Sequence, residues 1–188
     1  MINMAQGLSY IKIDPTTGRK VVVSVKDVSP YWIYDTKTLN DSTKAVSFFS
    51  NVDKNNPVAT NMLQNNVLPN GWKFHALAMR IVPDFSADAN LIASVIFNSV
   101  IIFKKESYEV FKAPTYTFNA GAGVYGKPTN GMPSSEALLP FPMQLEIQGM
   151  TPFSADMIVS PSVTFGDGVN LDVKCVVDGI VYKNIVTA

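Results

Sequence analysis

The sequence predicts an all-β sandwich or barrel, and three observations lead there. Apolar residues recur at every second position in many short runs, Gly, Pro, Asn and Asp gather between the runs, and helical spacing is scarce. Counting gives about eight to ten strands separated by turn signals, which is the pattern of a two-layered β-domain.

Taken in order, the first runs are residues 8–13 and the alternating Val21, Val23 and Val25, separated by Asp14-Pro15 and Gly18. Residues 44–49 form a short third run. Residues 72–82 are long and apolar on both sides, with Trp72, Phe74, Ala76 and Ala78 on one face and Leu77, Met79 and Ile81 on the other. A strand apolar on both faces belongs in the middle of a sheet or under a cover. Pro69-Asn70-Gly71 launches it and Pro83 closes it. Residues 84–95 are the best helix candidate, with Ser86 or Asp84 as N-cap and Leu91, Ile92 and Val95 at helical spacing. Residues 58–64, after Pro57, are a weaker one. Strand runs return at 98–103, at Tyr108 with Val110, and at Tyr116 with Phe118, before a long irregular loop over 119–139.

The cleanest alternation follows: Met143, Leu145 and Ile147 face one way, and Gln144, Glu146 and Gln148 the other. Residues 157–162 form another run, then Gly166 to Gly168 break the chain. Leu171, Val173, Cys175 and Val177 alternate with Asp172 and Lys174. Asp178-Gly179 is the strongest hairpin dipeptide in the chain, and it serves equally as a glycine bulge inside one long final strand.

Composition narrows the function classes. The 188 residues suit one domain able to bury a core without staples. Only 16% of residues are charged, against about 25% in typical soluble domains. That shortage fits a subunit that hides much of its exterior against neighbours. Fifteen Lys and Arg balance fifteen Asp and Glu, and Lys104-Lys105 is the longest basic run. Direct nucleic-acid binding is therefore not expected. One Cys and one His rule out a Cys/His zinc site by count. No signal peptide and no transmembrane segment are expected, because residues 1–14 lack an apolar core and the longest apolar stretch, 91–103, is interrupted by Ser94, Asn98 and Ser99.

Candidate chemistry is sparse, and no catalytic residue, cofactor or metal is expected. Gly121-Ala122-Gly123-Val124-Tyr125-Gly126 spells the dinucleotide fingerprint, but Lys127-Pro128 and Pro133 preclude the helix whose amides would hold a pyrophosphate. His75 lies mid-strand with no Ser, Cys or carboxylate at a catalytic spacing, so it reads as a structural or interface histidine. Cys175 reads as a small core hydrophobe. Asp84 with Asp88, Asp167 with Asp172, and Glu106 with Glu109 read as solvated loop charges, since none has the dense oxygen pattern of a calcium loop. Tyr31, Trp32 and Tyr34 cluster after Pro30; with Trp72 and His75 they are the expected interface or ligand platform.

The succession of features resembles a known family. Val67-Leu68-Pro69-Asn70-Gly71-Trp72 leads into the long apolar strand, then a helical connector, a strand ending in Phe103 and a Gly-rich loop. Leu139-Pro140-Phe141-Pro142 leads into Leu145-Glu146-Ile147, Pro152-Phe153 follows, and the closing strand from Leu171 carries Asp178-Gly179. Over residues 60–188 this layout is similar to the small single jelly-roll capsid proteins of tailless icosahedral double-stranded DNA phages and related viruses. The resemblance implies a single jelly-roll β-sandwich of about eight strands with one or two short connector helices, built as two four-stranded sheets. It also implies assembly into capsomers with copies of itself, in many relatives a second capsid protein and an internal viral membrane, no catalytic residues, and a place in the virion after synthesis in the host cytoplasm. Residues 1–60 match nothing in that family and are expected to add an N-terminal arm or extra strand to a single domain over 1–188.

The leading expectation is thus a capsid subunit, with residues 29–43 and 119–139 as contact loops. The alternative is a carbohydrate-binding or host-attachment module using Tyr31, Trp32 and Tyr34. A cupin-type enzyme would share the architecture but needs several metal-binding histidines, and the chain has one.

Overall fold

The structure is a computed structural model that describes residues 9–13, 20–53, 55–84, 86–118 and 139–187. Nine strands account for most of them: β1 (Ser9–Ile13), β2 (Lys20–Leu39), β3 (Ala45–Phe48), β4 (Lys73–Pro83), β5 (Ser99–Lys105), β6 (Tyr108–Pro114), β7 (Leu139–Gln148), β8 (Phe153–Val159) and β9 (Leu171–Thr187). Helix α1 (Ala89–Phe97) joins β4 to β5. All pairings are antiparallel; one sheet has the order β1-β2-β9-β4-β7 and the other β3-β8-β5-β6.

Set β1 aside and the remaining eight strands form two four-stranded sheets, β2-β9-β4-β7 over β3-β8-β5-β6. The chain crosses between sheets at nearly every connection, and only β5 and β6 are sequential neighbours in one sheet. That order is the jelly roll, two Greek keys folded over one core. β1 is the added strand, paired with Lys20–Ser24 of β2. The first sixty residues do more than supply an appendage, because β2 and β3 are two of the eight jelly-roll strands.

The core lies between the sheets and is rich in aromatic side chains. Phe48, Phe49, Phe74, Phe103, Phe118 and Phe153 are fully enclosed. Phe103 stacks on Phe111 at 5.5 Å and also meets Phe141 and Phe153. Offset and edge-on aromatic pairs of this kind contribute beyond the area they bury. Helix α1 turns Leu91, Ile92, Val95 and Ile96 into the same core.

Several sequence expectations require correction. Pro30 suggests a break, yet β2 runs through it without interruption to Leu39, so residues 29–43 are not a contact loop; the turn is confined to Asn40–Thr43. Among the described residues Pro30 has a strand neighbour only on the β9 side, a setting where proline is tolerated. Helix α1 starts later than expected, because Asp88 is its N-cap, accepting from the N–H groups of Asn90 and Leu91. Asp84 instead accepts from Ser86 N–H in a separate turn. Residues 58–64 are not helical; the Asn56 side chain accepts from Val58 and Ala59 N–H, and Thr60 and Asn61 bond to the Tyr34 carbonyl. Tyr116 and Phe118 belong to a 3₁₀ turn, Thr115–Phe118, that tucks Phe118 inward.

The faces of β4 are also rearranged. Ala76 lies opposite Gly179 and Ala78 opposite Asp178, so Leu77 is an extra residue with no counterpart on β9. This bulge shifts the alternation by one: Phe74 and Ala76 face the core before it, Met79 and Ile81 after it, and Leu77 is left 50% exposed. Asp178-Gly179 therefore sits inside one long last strand rather than at a hairpin tip. The Gly121–Gly126 fingerprint and most of the loop over 119–139 lie outside the described residues.

Candidate functional site

The five residues expected to form one platform are divided between the two faces of the five-stranded sheet. Tyr31 points inward and meets Trp72 edge-on at 5.7 Å and Phe74 at 6.5 Å. The Lys183 ammonium lies 4.7 Å from the Trp72 ring centre and 5.2 Å from that of Tyr31. Burial, then the neighbouring Tyr34, push the Tyr31 hydroxyl above its ordinary pKa. These two aromatics close one end of the core. They are not available as a stacking surface.

Trp32, Tyr34 and His75 face outward, as alternation along β2 requires once β2 is continuous. Trp32 is 52% exposed. Beside it, Arg80 Nη2 donates to Asp178 Oδ1 at 2.9 Å across β4 and β9. Burial raises the Asp178 carboxyl above its usual range, opposed by Arg80 and by the Trp32 indole N–H. The result is an aromatic plate set against a half-buried ion pair.

His75 belongs to a second cluster further along the same face. Its Nε2 lies 3.2 Å from Glu146 Oε2 without hydrogen-bond alignment, and its ring is 5.0 Å from that of Tyr182. Lys73 Nζ is 2.7 Å from the same Glu146 oxygen, and Gln148 donates to the other. Burial pushes the Glu146 carboxyl up, but hydrogen bonds from Lys73 and Gln148 and the charges of Lys73 and His75 outweigh it and hold the group below its usual value.

At the opposite end of the face, a cavity of about 480 Å³ opens among Thr36, Asn56, Val58, Ala59, Val82, Pro83, Asp84, Asp172 and Lys174. Sequence reasoning missed it, because residues 56–59 come from the β3–β4 connection and only tertiary hydrogen bonds bring them to β2. A local hint was present in the Asn56-Pro57 turn signal.

The remaining candidates are occupied structurally. Cys175 is enclosed, and burial, followed by the charges of Asp35 and Asp178, pushes its thiol well above the usual value; a thiolate nucleophile needs the opposite setting. Asp84 and Asp88 cap local N–H groups, and Asp172 accepts from Thr38. Among the described residues no three His, Cys, Asp or Glu side chains converge as metal ligands, and no helix is long and apolar enough to cross a membrane. No protein-family model fits the chain, and no curated protein sequence is significantly similar to it.

Proposed function

We propose that this chain is a jelly-roll capsid subunit that assembles into capsomers through contacts with copies of itself. One observation carries the reading: large apolar side chains are exposed on several separate elements. Tyr108 is 75% exposed on β6 and Ile158 44% on the outer face of β8; Leu63 projects from the β3–β4 connection at 59% and Tyr116 from the 3₁₀ turn at 50%. Apolar side chains on separate elements give contact points on several sides, as a shell subunit that meets several neighbours needs, each stable contact burying about 1,600 Å² in total. The low charge content and the jelly-roll strand order support the same reading, although that fold also hosts other functions. A second capsid protein and an enclosed membrane are partners of the same proposal.

Light scattering on the eluting protein over a rising concentration series tests it. Mass climbing above the 20.5 kDa of one chain is expected. A constant monomer mass at the highest concentration would overturn it.

A further inference from the structure

We propose that the outer face of the five-stranded sheet binds a polyhydroxyl ligand, with one sugar ring in the cavity beside Thr36 and a linked ring against Trp32. The inference does not rest on assembly, since binding is measured whatever the mass of the particle.

The cavity, at about 480 Å³, falls within the range of about 300–1,000 Å³ usual for small-ligand sites. One wall is the turn at Pro57, Val58 and Ala59. Three side chains of the sheet fix it by donating to successive carbonyl oxygens: Tyr34 Oη to Pro57 at 2.6 Å, Lys174 Nζ to Val58 at 2.9 Å and Thr36 Oγ1 to Ala59 at 2.9 Å. Val82 and Pro83 form the opposite wall from a central strand. Both walls are therefore anchored to regular structure, which is what a preformed site requires.

The lining mixes hydrogen-bond acceptors and donors. Asp172 uses Oδ1 to accept from Thr38 and keeps its second carboxylate oxygen, whereas Asp84 accepts from both the backbone N–H and the side chain of Ser86. Asn56 accepts from Val58 and Ala59 N–H through Oδ1, and its amide NH₂ is left to donate. Between these groups stand the C–H surfaces of Val58, Ala59, Val82 and Pro83. A sugar ring has this same alternation of hydroxyls and C–H faces.

Trp32 is the second, separate observation. It shares the outward face of β2 with Thr36, four residues away, a distance of about 13 Å at roughly 3.3 Å per residue. Its half-exposed indole beside the Arg80–Asp178 pair offers a flat apolar plate of the kind on which sugar rings stack. A short oligosaccharide spans the interval.

The test is calorimetric titration of the intact protein with maltotriose, cellotriose, chitotriose, galactose and mannose, with glycerol as control. At least one sugar is expected to bind saturably, and Trp32→Ala and Asp172→Asn are each expected to weaken it tenfold or more with unchanged circular dichroism. Val58→Asp, on an exposed wall residue, provides a third variant that spares the sheet and is expected to weaken binding by a similar factor. No saturable heat with any sugar, or full affinity in all three variants, would overturn the proposal.

Discussion

The buried carboxylate of Asp35 accepts the backbone N–H of Phe49 at 2.8 Å, and through that bond β2 holds the turn that ends β3. Phe49 and Asn51 both have positive φ, 69° and 50°, conformations that ordinary residues adopt only when their surroundings impose them. Lys37, two residues along the same face of β2, lies 3.2 Å from Asp35 and donates to the carbonyls of Ser50 and Asn51. An inward-facing acid and base thus satisfy each other and clamp a strained turn at the edge of the core.

Asp35→Ala removes the acceptor and leaves Lys37 without its counter-charge. A loss of about 3 kcal/mol is expected from the unpaired groups, read as a lower urea midpoint. Asp35→Asn keeps an acceptor for Phe49 and should lose less than half as much. Equal stability of Asp35→Ala and the native chain would show that the clamp contributes nothing.

Gly179 faces the core opposite the bulge, where an added Cβ would collide with the His75 carbonyl and the Phe74 ring. Gly179→Ala is expected to cost about 2 kcal/mol or more from overpacking. Ala at Gly71 has open space but a φ of 77°, so it should cost about 1 kcal/mol through backbone strain alone. Thermal melts of the two variants give the comparison.

Arg80→Ala strips the main opposing charge from Asp178, whose carboxyl burial already raises. Its pKa should move further up, followed by carboxyl carbon chemical shifts in an NMR titration. Leaving a half-buried acid unpaired should also destabilise the fold by about 2 kcal/mol.

Glu146 has a lower pKa folded than its ordinary value of 4.5, so the folded state holds the proton less tightly than the unfolded chain. The stability this supplies is complete above that ordinary value and is lost as pH falls through the folded one. Glu146→Gln should lower the urea midpoint at pH 7, and the gap to the native chain should narrow as the pH falls below the ordinary carboxylate value. An offset that persists unchanged at pH 3 would assign the effect to packing instead of charge.

Much of this architecture was legible in the sequence, because burial between two sheets writes itself as period-two alternation. Leu145 with Ile147, and Leu171, Val173, Cys175 and Val177, face the core as that pattern requires. The failures have physical causes. Pro30 disguised a continuous strand because proline is read as a break, although among the described residues it pairs only with β9. Leu77 disguised the true faces of β4, since a bulge resets alternation without leaving a local signature. Asp88 outcompeted Asp84 and Ser86 as N-cap, because caps are chosen by where the helix can pack. Tyr31 parts from Trp32 and Tyr34 for a simpler reason: neighbours in a strand point to opposite faces.

Assembly of the chain with copies of itself depends on the exposed apolar side chains of several elements. Sedimentation velocity on the native chain and on a Tyr108→Lys, Tyr116→Lys, Ile158→Lys variant measures this directly. The native chain is expected to sediment as a multiple of 20.5 kDa, and the equally folded variant as a monomer. Identical sedimentation of the two would contradict it.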